Sequence, residues 1–580
     1  MEQKILGAEA LIRSLIAEGV DTTFGYPGGA IIPVFDVLYD HKKEIRNILV
    51  RHEQGAIHAA QGFARVTGKP GVVIVTSGPG ATNVITGLGD ANMDSTPLVV
   101  ITGQVGSAAL GSDAFQETDV IGITQPLTKW SYQIRSAEDI EWAVARAFYI
   151  AMSGRPGPVV LDFAKNAQNE KIEWKDYKKC NYIRSYEPFP IINKDELCEA
   201  ADLINDSKRP FILAGNGVTI SCAEKELIEF AEKADIPMCN TLLGLSSIPS
   251  DHRLNVGMIG MHGNVACNIA TMNCDLIIAI GMRFSDRVTG HPAKFAPQAK
   301  IIHIDIDRSE FNKNILVDAS IHGDAKEVLQ QLTPLIAPAS HEEWLSSFDD
   351  DWKIENETVI SQELNPQDGQ IKMGQVVRKV SEASGNKAIL VTDVGQNQMQ
   401  AARYFKFTQP RSIITSGGLG TMGFGLPAAI GAQIAAPDRT VCFFTGDGGL
   451  QMTVEELGMI LQYNLPVKII LLNNNFLGMV RQWQELFYHE RYSETEMVNP
   501  DFVTLFKAYG IHAEDVEDIN TLDDAIDRML KHNGAYLLNV NIAPEELVYP
   551  MIPAGSVLDN ILLSRTEKYT KKPNTDYDNL

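Results

Sequence analysis

The amino-acid sequence predicts an α/β protein built from three doubly wound parallel-sheet domains. Three observations carry this. Strand-like apolar runs alternate with helical patterns, two polar stretches interrupt that alternation, and one strand–loop–helix–strand unit occurs twice. A chain of 580 residues exceeds one ordinary core, so three or four domains are expected.

The first domain is expected over 1–172, with "NILV", "GVVIVTS", "PLVVITG" and "GPVVLDF" as strands. Its opening, "MEQKILGAEALIRSLIAEGV", lacks a signal-peptide pattern. Ala8, Leu11, Ile12, Leu15 and Ile16 form the apolar stripe of an amphipathic helix instead. The polar run "NEKIEWKDYKKCNYIRSYEPFPIINK" reads as a linker. A second domain over 192–335 follows, with strands in "RPFILAGNG", "CDLIIAIG" and "AKIIHIDID". The charged segment "SHEEWLSSFDDDWKIENETVISQELNPQDGQ" leads to a third domain over 371–545, holding "AILVTDVGQ", "RTVCFFTGDGG" and "PVKIILLNNN". Residues 546–580 read as a polar tail.

With 44% hydrophobic and 21% charged residues, the chain reads as soluble and globular. A formal net charge of −23 argues against a nucleic-acid partner, which needs a basic face. An anionic ligand must then be held locally, by backbone N–H groups, a metal or a few basic side chains. No apolar run approaches the roughly 18 residues of a membrane span. Seven scattered cysteines without a C-x-x-C pair support neither a zinc site nor a disulfide framework, and a reduced cytoplasm fits.

The repeat points to a site. Thr76 to Pro97 and Thr445 to Pro466 are both 21 positions apart, and Gly78 in the first copy stands where the second has Asp447. Ligands of such sheets bind beyond the carboxyl ends of the strands, so the two copies are expected to divide the holding of one ligand. Asp447 lies between glycines at a strand end, and Asn474 lies 27 positions on, at the end of the next strand. A carboxylate beside an amide oxygen suits Mg²⁺, and N–H groups of the Gly446–Gly449 loop suit phosphate oxygens. The bland alternatives are a helix N-cap at Asp447 and a turn over Asn473–Asn475.

Gly418, Gly420 and Gly423 spell G-x-G-x-x-G, with Asp438 20 residues on, but Asp438 precedes the next strand instead of ending it. That context fails the dinucleotide fingerprint. Glu53, where "NILV" gives way to a helix, reads by itself as a helix-start acid. With "FGYPGGAI" one strand earlier and "TSGPGATN" one strand later, three loops converge on one sheet edge, which favours a site.

The conjunction of "FGYPGGAI", "RHEQGA", "TSGPGATN", "DAFQETD", "SGRPGPV", "GMHG", "RFSDRVTG", "GGLGTMGFGLPAAIG", the G-D-G to N-N spacing and "LGMVRQW" resembles the catalytic subunits of the acetohydroxyacid synthase (acetolactate synthase) family, over residues 4 to 555. The resemblance implies pyrimidine-binding, central FAD-binding and pyrophosphate-binding domains, with thiamine diphosphate, Mg²⁺ and FAD as cofactors. It implies transfer of a two-carbon unit from pyruvate to pyruvate or 2-ketobutyrate, in branched-chain amino-acid biosynthesis. A homodimer or homotetramer with a separate small regulatory subunit is the implied assembly. Pyruvate oxidase and 2-keto-acid decarboxylase are the competing thiamine enzymes, and Arg155, Arg283 and Trp483 argue against both.

By the same resemblance, Glu53 would hydrogen-bond the cofactor's aminopyrimidine N1′ from an apolar pocket. Asp447, Asn474 and the Phe476 carbonyl would hold Mg²⁺. Gly420 and Met422 would contact the pyrimidine, and Gly395, Gln396, Asn397, Gly448 and Gly449 the diphosphate. Gly29, Phe115, Gln116 and Lys165 would line the reaction space, and Met479 and Trp483 would shape the second-substrate pocket. Arg155, Gly215, Thr241, Leu242, Met261, His262, Gly263, Arg283, Arg287, Asp305 and Asp324 match FAD positions, where the flavin has no redox role in the net reaction. The chain departs from the family at "GQNQMQ", where Asn397 and Gln400 replace His and Trp, and at Gly449, where a hydroxyl that could reach the diphosphate is lost.

Overall fold

The computed structural model describes residues 4–569 and places them around three six-stranded parallel sheets. The first sheet holds Thr22–Gly25, Arg46–Leu49, Gly71–Val75, Leu98–Gln104, Trp130–Ile134 and Pro158–Ala164. The second holds Pro210–Ala214, Met238–Asn240, Asn255–Met258, Leu276–Ile280, Lys300–Asp305 and Ala319–His322. The third holds Ile389–Thr392, Ile413–Ile414, Val441–Gly446, Lys468–Asn473, His512–Val516 and Tyr536–Asn541. Central strands such as Gly71–Val75 and Leu98–Gln104 are buried at every residue, as sheets covered by helices on both faces require.

Counted in chain order within each sheet, the first and third both run 2-1-3-4-6-5, and the second runs 3-2-1-4-5-6. The repeat legible in the sequence is thus a shared topology. A constant offset of 369 residues relates Thr76 to Thr445, Ala59 to Ala428 and Gly62 to Gly431. It also relates Glu53 to Met422.

The two copies pack through the helices that follow their second strands, Glu53–Thr67 and Gly425–Ala435. A Cβ at Gly62 would stand 2.0 Å from the Ala428 carbonyl oxygen, and one at Gly431 would stand 1.8 Å from that of Ala59. Only glycine permits backbone contact this close. One continuous apolar core, including Ile57, Phe63, Leu88, Phe424, Ile430 and Leu457, joins both sheets.

Two polar segments fold more than their composition suggests. The charged connector forms helices Glu342–Ser346 and Asp349–Glu355, and Phe348 between them packs on Trp344 and on Phe211 of the second domain. Its Glu355 makes a fully buried ion pair with Arg403 at 2.6 Å. Residues 546–569, read from the sequence as tail, are likewise packed: Ile552, Leu558, Ile561 and Leu563 join the second domain's core. In 546–569 sparse apolar residues among polar ones hid this burial, because no helical or strand period links them, whereas Trp344, Phe348 and Trp352 in the connector follow a helical spacing. The rest of that segment, 570–580, lies outside the described residues.

Candidate active site

The end of strand Ile389–Thr392 is fixed by Asp393. This buried carboxylate accepts N–H bonds from Val394, Gly423 and Gly425 at 2.8, 3.0 and 3.1 Å, tying its own strand end to the loop that leads into helix Gly425–Ala435. Gly395, at φ 125°, turns the chain into helix Gln396–Tyr404. Asp447 opens the short helix Asp447–Gln451 and is 1% exposed; burial pushes its carboxyl above the usual range. Asn474 is also buried, with Oδ1 accepting from the Phe476 N–H at 3.1 Å and Nδ2 donating to Gln396 Oε1 at 3.3 Å.

A small cavity of about 60 Å³ collects these elements. Gly395, Gln396, Asn397, Met422, Asp447, Gly448, Gly449, Asn474, Phe476 and Met479 all line it. A Cβ at Gly448 would stand 2.6 Å from Leu477 Cδ2, so a side chain there would have to displace the end of Leu477. The direction at Gly449 differs from expectation: a Cβ would meet Asp393 Oδ1 at 2.4 Å, so a side chain there faces Asp393 before any diphosphate. Gln400 is fully buried, with Nε2 3.5 Å from Glu363 Oε2, and lines no part of this cavity.

The first sheet brings a second group together. Glu53 opens helix Glu53–Thr67, half-exposed, and its Oε2 accepts from Asn83 Nδ2 at 2.9 Å. Lys165 Nζ donates to the Gly29 carbonyl at 3.0 Å, joining the end of strand Pro158–Ala164 to the Pro-Gly-Gly turn. Gln116, at φ 62°, packs its carbonyl against Gly78. Phe115 is 88% exposed. None of Glu53, Gly29, Phe115, Gln116 and Lys165 lines the Asp447 cavity within one chain. The apolar enclosure expected around Glu53 is not made by the described residues of one chain alone.

At the carboxyl end of the second sheet lies a cavity of about 600 Å³. Its walls include Arg155, Thr241, Leu242, Met261, His262, Arg283, Arg287, Asp305 and Asp324. Gly420, Met479 and Trp483 of the third domain close another side. Gly215 and Gly263 stand behind the wall, where a Cβ would meet the carbonyls of Gly281 and Met258 at 2.3 and 2.4 Å. A 3-2-1-4-5-6 sheet binds dinucleotides between its first and fourth strands, and Gly215 and Gly281 mark that point here. Burial pushes the Asp305 carboxyl up to about 7 and the His262 imidazole down to about 4. Arg155 pairs with Glu310 and Asp307 at 2.9 and 3.3 Å.

Three family models match the chain in order: the thiamine pyrophosphate enzyme N-terminal TPP binding domain at residues 5–123, the central domain at 197–332, and the C-terminal TPP binding domain at 393–540. The chain is 45% identical to a probable acetolactate synthase large subunit of Methanocaldococcus jannaschii, covering 98% of this chain and 97% of that one. It is 42% identical to the acetolactate synthase large subunit of Lactococcus lactis, over 97% of each chain. The isozyme 3 large subunit of Escherichia coli is 42% identical over 98% of this chain and 100% of its own. The chain belongs to the acetolactate synthase large-subunit family.

That family's thiamine pyrophosphate fits the residues present. Loop N–H groups at the starts of helices Gln396–Tyr404 and Asp447–Gln451 suit a diphosphate. Oxygen-only donors at Asp447, Asn474 and Phe476 suit Mg²⁺, and among the described residues no group of three His, Cys, Asp or Glu offers a competing metal centre. The unpaired, buried Nε2 of His262 and the 600 Å³ volume suit a bound dinucleotide. Sequence reasoning missed Asn499, whose Nδ2 donates to Asp447 Oδ2 at 2.6 Å, Asn475 Oδ1 at 2.9 Å and Asn473 Oδ1 at 3.0 Å. No motif marks it, because it reaches the strand ends from a loop 52 residues beyond Asp447.

Proposed function

We propose that this chain is the catalytic subunit of an acetolactate synthase. It decarboxylates pyruvate and joins the two-carbon unit to a second 2-keto acid, giving 2-acetolactate from pyruvate or 2-aceto-2-hydroxybutyrate from 2-ketobutyrate. This is the first common step towards valine, leucine and isoleucine. The observation that carries the reading is near-complete coverage of the chain by acetolactate synthase large subunits of about the same length.

Bound thiamine diphosphate supplies the nucleophilic carbon and the electron sink that decarboxylation requires. The chain's residues supply position. Asp447, Asn474 and the Phe476 carbonyl hold Mg²⁺, while Gly395, Gln396, Gly448 and Gly449 cradle the diphosphate. Glu53 holds a proton towards the pyrimidine N1′, with Asn83 fixing one of its oxygens. Lys165 anchors the Gly29 turn through its carbonyl, and the Gly29 N–H would serve as an oxyanion donor. Met479 and Trp483, four positions apart on helix Gly478–Phe487, shape the second-substrate pocket, to which Phe115 and Gln116 of a second chain would contribute. The second domain's cavity takes FAD, which has no redox part in the net reaction.

The exposure of Phe115 and the position of Glu53 outside the Asp447 cavity support a homodimer or homotetramer whose sites lie between chains. Relatives called large subunits support a separate smaller subunit. All seven cysteines are free, which fits a cytoplasmic enzyme. The test is product identification from pyruvate, with and without 2-ketobutyrate. Acetohydroxy acids are expected, and acetyl phosphate or acetaldehyde as the main product would refute the reading.

A further inference from the structure

Glu456 is a fully buried acid that the reaction as described does not use. It comes from the third domain but serves the first. Its Oε1 accepts the Arg51 and His52 N–H groups at 3.1 and 2.9 Å, and its Oε2 accepts Arg51 N–H at 3.0 Å. These are the two residues immediately before Glu53. Tyr463 Oη accepts the Leu49 N–H at 2.7 Å, fixing the end of the strand that leads into this loop. The approach depends on a bare backbone: a Cβ at Gly55 would stand 2.0 Å from Glu456 Oε1.

The other half of the pair is built the same way. Asp94 of the first domain accepts the Gly417 and Gly418 N–H groups at 2.9 and 2.7 Å, and Asp90 accepts Thr421 Oγ1 at 3.0 Å. That loop carries Gly420 and Met422. The offset of 369 that maps Glu53 onto Met422 also maps Leu49 onto Gly418 and Asp94 onto Tyr463. Each copy therefore uses acceptors in or at the ends of the helix that precedes its fourth strand, Ile85–Met93 or Leu457–Tyr463, to fix the end of the other copy's second strand and the loop after it.

We propose that Glu456 is a positioning residue for Glu53: its carboxylate sets the backbone from which Glu53 reaches the pyrimidine, an inference that rests on the role of Glu53 given above. Glu456 touches neither the Asp447 cavity nor the larger one. Its loss should therefore move Glu53 without loosening the grip on the diphosphate.

The test compares Glu456→Ala, Glu456→Gln, Tyr463→Phe and Glu53→Gln. In the cofactor-free chain, Glu456→Ala should speed amide hydrogen exchange at Arg51 and His52 by about tenfold or more. With thiamine diphosphate bound, its C2–H exchange should slow by about 10- to 100-fold, the scale of a small misplacement. Cofactor affinity should stay within about threefold, because the groups that hold the diphosphate are untouched. Glu456→Gln keeps an acceptor oxygen and should recover most of the rate. Tyr463→Phe removes one hydroxyl and gives a milder slowing if Glu456→Ala folds poorly. Unchanged amide exchange and C2–H exchange in folded variants, or affinity falling in step with the rate, would overturn the proposal. If Glu53→Gln itself leaves C2–H exchange intact, the reading of Glu53 fails. If Glu53→Gln stops exchange while Glu456→Ala and Tyr463→Phe do not slow it, the positioning role alone fails.

Discussion

Replacing Gly431 by Ala tests the backbone contact that holds the two copies together. The added Cβ would stand 1.8 Å from the Ala59 carbonyl oxygen, 2.6 Å from its carbon and 3.0 Å from Ala59 Cα. An ordinary contact needs about 3.4 Å, so the helices must part by roughly 1.5 Å in a core packed without slack. Overpacking of this kind costs about 1–3 kcal/mol, towards the upper end here because the obstacle is backbone and cannot rotate away. Alanine's better helix propensity returns about 1 kcal/mol, leaving a net loss of about 2 kcal/mol. Gly62→Ala should behave alike, since its Cβ would stand 2.0 Å from the Ala428 oxygen. The double variant should lose less than the sum, because the first methyl has already parted the helices. Thermal unfolding followed by circular dichroism reads the effect, with Gly106→Ala, whose Cβ meets nothing within 4 Å, as the control. A Gly431→Ala chain that unfolds at or above the wild-type midpoint would refute the close-contact account.

Trp483→Leu should collapse a preference for 2-ketobutyrate over pyruvate of about 10- to 200-fold, the worth of one well-packed methylene, while acetolactate formation from pyruvate alone persists; competition assays at fixed pyruvate read the ratio. Glu53→Gln should lower turnover by about 100- to 10,000-fold, the usual range for proton transfer by a placed side chain, with cofactor binding retained in a calorimetric titration. Burial pushes Glu363 up to about 7, so the folded chain keeps a proton that the unfolded chain releases above its ordinary value of 4.5. The resulting stability is complete below 4.5 and is lost as pH rises through about 7, with the nearby buried Glu546, whose carboxyl burial also raises, sharing in the effect. Glu363→Gln should flatten the fall of unfolding midpoint between pH 5 and pH 9.

The features legible in the sequence were those set by local spacing. Thr76 and Thr445 each end a strand before a Gly-rich loop, and the shared interval to Pro97 and Pro466 revealed a repeat that the sheets display as one topology. Asp447 and Asn474 were legible because adjacent parallel strands must end side by side. Glu456 and Asn499 were not, because each acts through a hydrogen bond across a long stretch of chain to backbone or amide groups of no special pattern. Ile552 and Leu558 were hidden differently: their burial comes from packing on the second domain, which no local period records. Phe115 was singled out by resemblance, yet one chain leaves it bare.

The division of one cofactor between the two copies, contributed by two chains, is tested most directly by mixing two inactive variants. Glu53→Gln disables the first-domain half of every site, and Asp447→Ala disables the third-domain half. In a mixed dimer with sites shared across the two-fold axis, one site carries both lesions and the other carries neither. Random reassortment of equal amounts should then restore roughly a quarter of wild-type activity, since half the dimers are mixed and each has one intact site. Mixed dimers that form but stay inactive, or a wild-type monomer that is active by sedimentation and assay, would contradict the account.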